Sequence, residues 1–237
     1  MKPVFSRNSC DELVRRGESR AIRTTRRSVS GVYAFRGELG VAFESTLERD
    51  FLIRLELAPH AQDVVPQPVR LPYRTLAGRL SHYTPDFLVR YRPGRRADAA
   101  GRRPLLVEVK PQEALRADWA AWRAKFKAAA RYARENGWTF RIFDERRIRD
   151  ATWENAMLLR PYRSQAFARG EIQKILDTLG RFGVAKVQHL IGEHFLAETD
   201  RLRGHSLIWS LLARGEIECD FGQPLSENTI VWMPADE

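Results

Sequence analysis

Thr84-Pro85-Asp86-Phe87-Leu88-Val89 and, farther along, Leu105-Leu106-Val107-Glu108-Val109-Lys110 decide the fold. Each stretch reads as a strand, with apolar residues alternating or running together. Side chains of a strand alternate between its two faces. Glu108 and Lys110 therefore point to one face, and Val107 and Val109 to the other. An acid and a lysine on so apolar a strand cost free energy unless they are paired or functional. By the same rule Asp86, Leu88 and Arg90 share one face, and Phe87, Val89 and Tyr91 the other.

Working outward, Pro85-Asp86 followed by Glu108-Val109-Lys110 resembles the PD…(D/E)xK pattern of metal-dependent nucleases. Upstream, Glu44-Ser45-Thr46-Leu47-Glu48 opens a helix whose Leu47, Phe51, Leu52 and Leu55 form an apolar stripe. Ser45 and Glu48 have the spacing of a capping box. Glu48 also borders the stripe, so it is a candidate third acid, with Glu44 as an alternative. Val64-Val65 and Val69-Arg70-Leu71 predict one strand interrupted by Pro66 and Pro68, restricted to an edge or a bulge, and Arg79 to Tyr83 leads into the Asp86 strand. Downstream, Lys110-Pro111 ends a strand. A long helix over about 113–135 follows, its packing stripe formed by Leu115, Trp119, Trp122, Phe126, Ala129 and Ala133. Arg116, Arg123, Lys125, Lys127, Arg131 and Arg134 fall mostly off that stripe. Asn136-Gly137 stops the helix, and Trp138, Phe140 and Ile142 alternate as a further core strand. The order is that of the α-β-β-β-α-β core of restriction-endonuclease-like α/β folds.

The flanks differ in rhythm. Residues 1–30 form a basic N-terminal arm with Arg7, Arg15, Arg16, Arg20, Arg23, Arg26 and Arg27, and Val32 to Phe35 is a short strand. Arg92 to Arg103 is a basic loop. The nuclease domain is placed at 31–150 and a connector at 151–164. Residues 165–237 are read as a winged-helix-like C-terminal domain, with helices at 165–181, 184–196 and about 200–214. There Gly183 to Val187 starts the second helix, and Glu216-Ile217-Glu218-Cys219 pairs with Asn228 to Trp232 as a hairpin.

Composition sets the partners. The chain has 237 residues, 43% of them hydrophobic, and a formal net charge of +10. That is ample for a core and favours a polyanionic partner. Arginine, which greatly outnumbers lysine here, grips phosphate with a fork of donors. Cys10 and Cys219 do not make a disulfide framework. With no membrane-length apolar stretch and no visible signal peptide, a cytoplasmic, nucleoid-associated bacterial protein is expected. His189 and His194 are off one helical face, which speaks against zinc.

Phosphodiester hydrolysis needs an activated water and electrostatic support for the transition state, and converging carboxylates supply both by holding Mg²⁺, for which Mn²⁺ substitutes. The predicted metal ligands are Glu48, Asp86, Glu108 and the Val109 carbonyl, with Lys110 orienting water and stabilising charge. The blander alternatives are a surface Asp with a Glu–Lys cross-strand pair, and a purely capping Glu48.

The chain further resembles the TnsA family, the endonuclease subunit of heteromeric transposases. The resemblance rests on Leu47-Glu48-Arg49-Asp50-Phe51-Leu52, Thr84 to Val89, Val107-Glu108-Val109-Lys110-Pro111, and Leu211-Leu212-Ala213-Arg214-Gly215-Glu216-Ile217. It implies catalytic roles for Glu48, Asp86, Glu108 and Lys110; some members carry Gln in place of Glu108. It also implies 5′-end cleavage of double-stranded transposon DNA alongside a TnsB-like DDE transposase, and a C-terminal domain that meets a TnsC-like AAA+ regulator. The competing readings are a stand-alone restriction or repair nuclease of the same fold and a non-catalytic winged-helix DNA-binding adaptor.

Overall fold

The computed structural model of the chain describes residues 29–37, 39–58, 60–92 and 103–234. The basic arm up to residue 28 and loop residues 93–102 lie outside them. The chain divides into two compact units, Met1–Leu52 with His60–Ile148, and Ile53–Pro59 with Arg149–Glu237.

The first unit opens with an antiparallel hairpin, β1 (Gly31–Phe35) and β2 (Leu39–Phe43), of which the sequence signalled only the first strand. Helix α1 (Thr46–Leu55) follows, then β3 (Ala61–Pro66). The strand expected through Val69 to Leu71 is in fact two. After Pro66 the chain turns at Gln67, which adopts φ 46 and donates its N–H to the Asp86 carbonyl at 2.8 Å. Neither Pro66 nor Pro68 has an N–H to donate to a ladder, so pairing cannot continue. Beyond the turn, β4 (Leu71–Arg74) pairs with β5 (Leu80–Tyr83) in a separate hairpin inserted before β6 (Phe87–Tyr91). Then come β7 (Leu105–Val109), the 24-residue helix α2 (Gln112–Glu135) and β8 (Thr139–Phe143).

The central sheet has the order β3-β6-β7-β8. β3 and β7 run antiparallel to β6, and β8 runs parallel to β7. A parallel pair needs a crossover, and α2 supplies it. Leaving the inserted hairpin aside, the expected helix, three strands, helix and strand are all present, a mixed α/β architecture of the nuclease-like kind. The pleat sorts side chains as the alternation predicts. Leu88 and Leu106 meet Phe126, Ala129 and Ala133 of α2, together with Leu71 and Tyr83 of the small hairpin. On the opposite face Phe51 of α1 stacks on Phe87 at 5.7 Å and meets Phe143 at 5.1 Å. Two positions on α2 depart from the expected stripe. Trp119 is 48% exposed, while the Lys125 side chain, expected off the stripe, is only 14% exposed.

The second unit contains α3's successors in the chain; α3 itself (Glu145–Ile148) closes the first. They are α4 (Ala151–Leu159), a 3₁₀ turn (Arg160–Tyr162), α5 (Arg169–Phe182), β9 (Val184–Lys186), α6 (Val187–His194), α7 (Glu198–Arg214), β10 (Glu218–Cys219) and β11 (Ile230–Trp232). The expected helix start at Gly183 to Val187 is corrected. Gly183, at φ 75, ends α5, a conformation that costs glycine little. Val184–Lys186 is then free to pair with β11, giving a three-stranded sheet of order β10-β11-β9. Ile175, Leu179, Leu190, Leu207, Leu211, Ile217 and Val231 form the interior. Gly204 of α7 lets the Phe195 ring approach so closely that a Cβ there would lie 2.7 Å from it. Among the described residues no helix is long and apolar enough to cross a membrane.

Candidate active site

The site lies at one end of β6 and β7 in the first unit, and the backbone builds it before the side chains do. Asp86 directly precedes β6. Its N–H donates to the Val107 carbonyl at 3.0 Å, and its own carbonyl accepts from Gln67. Its carboxylate Oδ2 accepts the Val109 N–H at 2.7 Å. Lys110 continues the ladder past β7, donating its N–H to the Phe143 carbonyl at 3.0 Å. Pro111 then breaks the strand, and the first amide of α2, Gln112, donates to Glu145 Oε2 at 2.9 Å.

Three predicted groups converge on the Lys110 ammonium. Its Nζ is 3.0 Å from the Val109 carbonyl, 3.2 Å from Glu108 Oε1 and 3.5 Å from Asp86 Oδ2. The Lys110 side chain is 26% exposed whereas Glu108 is 1% exposed. The strand thus ends in a reachable cation above a fully buried carboxylate. Glu48 is placed differently. Ser45 caps α1, accepting the Glu48 N–H at 3.1 Å and donating its hydroxyl to Glu48 Oε1 at 2.9 Å, while the Glu44 N–H donates to Oε2 at 2.8 Å. The capping role is therefore real. Glu48 nevertheless shares the site's field, because Lys110 and Asp86 both interact with it electrostatically.

Crowding of acids in a dry place shifts their protonation. Burial, reinforced by the Glu108 charge, pushes the Asp86 carboxyl well above its ordinary range, against the opposing pull of Lys110 and the Val109 amide. Burial likewise raises Glu48, helped by the Glu44 charge, with the Glu44 backbone amide, the Ser45 hydroxyl and Lys110 pulling the other way. Burial alone would lower Lys110, but Asp86 and Glu108 outweigh it and hold the ammonium above its usual value.

Two residues that the sequence reading passed over complete the site. Tyr83, the last residue of β5, donates its hydroxyl to Glu108 Oε2 at 2.6 Å. Lys125 of α2 reaches Glu108 Oε1 at 3.5 Å. A signal for Lys125 was present, since it lies between Trp122 and Phe126 at the margin of the apolar stripe. Tyr83 gave none, because its hairpin was not foreseen.

The oxygen donors on offer are the carboxylates of Asp86 and Glu108 and the Val109 carbonyl, a hard set of the kind Mg²⁺ prefers. Among the described residues no three His, Cys, Asp or Glu side chains cluster closely enough to hold a metal between them. Any such ion would thus draw on the backbone oxygen and on water as well as on acids. His194 of α6 instead engages Thr178 Oγ1 at 2.8 Å, and His189 lies 3.7 Å from Glu193.

No curated protein matches the chain. Residues 58–145 match the family described as TnsA-like endonuclease N terminal. That segment carries Tyr83, Asp86, Glu108, Val109, Lys110 and Lys125, and Glu48 precedes it. Over this segment the chain is similar to the N-terminal domain of TnsA-like endonucleases.

Proposed function

We propose that the chain is the DNA-cutting subunit of a heteromeric transposase, hydrolysing phosphodiester bonds at the 5′ ends of a transposon with Mg²⁺, or Mn²⁺ in its place. The observation that carries this reading is the convergence of Asp86, Glu108 and the Val109 carbonyl on Lys110 within the matched segment. The ligands are Asp86, Glu108 and the Val109 carbonyl, with Glu48 adding negative charge from the end of α1. Bound there, the divalent ion supplies an acidified water and charge stabilisation for the transition state. Lys110 then orients the attacking water and stabilises negative charge on the phosphoryl oxygens. Glu108 and Asp86 keep that ammonium at the phosphate, and the Val109 N–H keeps Asp86 from rotating away.

Substrate is held by charge. Arg123, Lys127 and Arg131 recur every four residues on the exposed side of α2. Like charges at that spacing repel by a few tenths of a kcal/mol each, a cost that DNA phosphates would offset. Lys127 and Arg131 line a cavity of about 470 Å³ with Arg74 of β4. The second unit, with helices α4 to α7 and a small three-stranded sheet among its described residues, is read as a winged-helix-like module. It meets a TnsC-like AAA+ regulator or DNA, while a TnsB-like DDE transposase recognises the ends.

The test is cleavage of a labelled transposon-end duplex by the full chain with and without the DDE partner and Mg²⁺. We expect 5′-strand cutting only with both present, and none by Asp86→Ala, which still folds and binds DNA. Cutting by Asp86→Ala would remove the site assignment, and specific cutting by the chain alone would favour a restriction- or repair-type nuclease.

A further inference from the structure

Glu108 is held by more than its strand neighbour. A carboxylate that is 1% exposed must have its charge compensated on both oxygens. Its Oε2 accepts the Tyr83 hydroxyl at 2.6 Å, the short distance of a charge-assisted bond. Its Oε1 faces two ammonium groups, Lys110 at 3.2 Å and Lys125 at 3.5 Å. Lys125 is itself confined. Its Nζ lies 4.5 Å from the centre of the Trp122 ring and 5.0 Å from those of Tyr83 and Phe126. Tyr83 and Phe126 meet edge to face at 6.2 Å. Three rings thus form a box around one ammonium, an arrangement suited to holding a cation in place.

Resting on the nuclease reading, we infer that Tyr83 and Lys125 are positioning residues for Glu108. They come from two elements, β5 and α2, that neither carry the Asp86 strand nor continue β7. Tyr83 ties down the rear oxygen, so Oε1 is the one presented toward Lys110 and Asp86. Lys125 sets the rotation of the carboxylate about its last torsion, which in a glutamate is otherwise broad. Neither group needs to touch DNA. The inserted β4–β5 hairpin, which the core topology does not require, thereby acquires a role, because it delivers the Tyr83 hydroxyl to the site.

A merely structural role predicts that losing either residue loosens the site in the same sense. Positioning predicts opposite signatures on metal affinity. Tyr83→Phe keeps shape and charge but frees Oε2, so Mn²⁺ binding to the full chain, followed by electron paramagnetic resonance of the free ion, weakens about 10–100-fold. Lys125→Met removes a competing positive charge, so Mn²⁺ binds as tightly as to the unmodified chain or more tightly. Cleavage at saturating Mn²⁺ nevertheless slows in kcat, with KM for DNA unchanged. Lys125→Arg restores the rate in part. Unchanged Mn²⁺ affinity in Tyr83→Phe overturns the inference even if Lys125→Met fails to fold. If the unmodified chain binds no Mn²⁺, the nuclease reading falls and the inference with it, an outcome distinct from binding that is indifferent to Tyr83.

Discussion

The two units bury polar groups in opposite ways. In the first, the buried groups are charges. Glu108 is 1% and Glu48 8% exposed, and burial pushes Asp86 and Glu48 away from their ionised forms. In the second, the buried polar residues Asn155, Thr178 and Ser210 are neutral and bonded to near neighbours. Asn155 is the clearest case. Its amide donates to the Phe221 and Gln223 carbonyls at 3.0 and 2.8 Å and accepts the Leu225 N–H at 3.1 Å, fastening the loop between β10 and β11. A neutral polar side chain satisfied on every side is architecture. Carboxylates crowded where they resist ionisation are a cost to the fold, and sites of chemistry tolerate such costs.

The largest effect that can break this comparison is at Asp86. Asp86→Asn keeps an oxygen for the Val109 N–H but removes the charge. It should reduce cleavage by at least about 10³-fold, if a carboxylate ligand is lost, and yet make the protein more stable at neutral pH. The sign follows from linkage. The folded-state pKa of Asp86 is raised, so its favourable contribution exists at low pH and disappears as pH rises through the folded value. Urea unfolding at pH 7 and pH 3.5 measures this, and the advantage of the variant should shrink in acid. A variant destabilised at pH 7 would place Asp86 with the architectural residues.

Asn155→Ala is the counterpart in the second unit. It removes three hydrogen bonds and leaves buried backbone groups unpaired, a loss of roughly 2–4 kcal/mol. Thermal unfolding should show it at every pH, with no change in Mn²⁺ binding. A shift under about 0.5 kcal/mol, the size of an ordinary surface substitution, would mean that the loop is held by something else.

The sheet was legible because its strands are apolar runs bounded by Pro and Gly, and α2 because its stripe is long. Asp86, Glu108, Val109 and Lys110 were legible as a group since a strand's alternation fixes which side chains can meet. What escaped depended on contacts between distant segments. Nothing local distinguishes Val69 to Tyr83 as a hairpin until Gln67 is seen turning at φ 46 against the Asp86 carbonyl, and without that hairpin Tyr83 has no route to Glu108. Likewise Val184–Lys186 reads as a helix start until β11 offers it an edge. Lys125 shows the limit of periodicity, for a long side chain at the margin of a stripe can reach inward.

The smallest effect isolates a charge that does belong to the architecture. Asp150 caps α4, accepting the Trp153 N–H at 3.2 Å, and Arg54 forks onto its carboxylate at 2.7 and 3.1 Å. Burial works against the charge, but the Arg54 hydrogen bonds and the Trp153 amide outweigh it and hold the carboxyl below its ordinary range. The linkage sign is therefore the reverse of that at Asp86. The contribution is present above the ordinary carboxylate value and is lost as pH falls through the folded one. Asp150→Ala should cost about 1 kcal/mol at pH 7, the usual worth of a helix cap, and the difference from the unmodified chain should close as pH falls through the lowered folded value, where the folded carboxyl is protonated too. Two buried or half-buried aspartates would then respond to acid in opposite directions, one losing a stabilising charge and the other a costly one. If both responded alike, the division between a charged site and a neutral scaffold would fail at its simplest point.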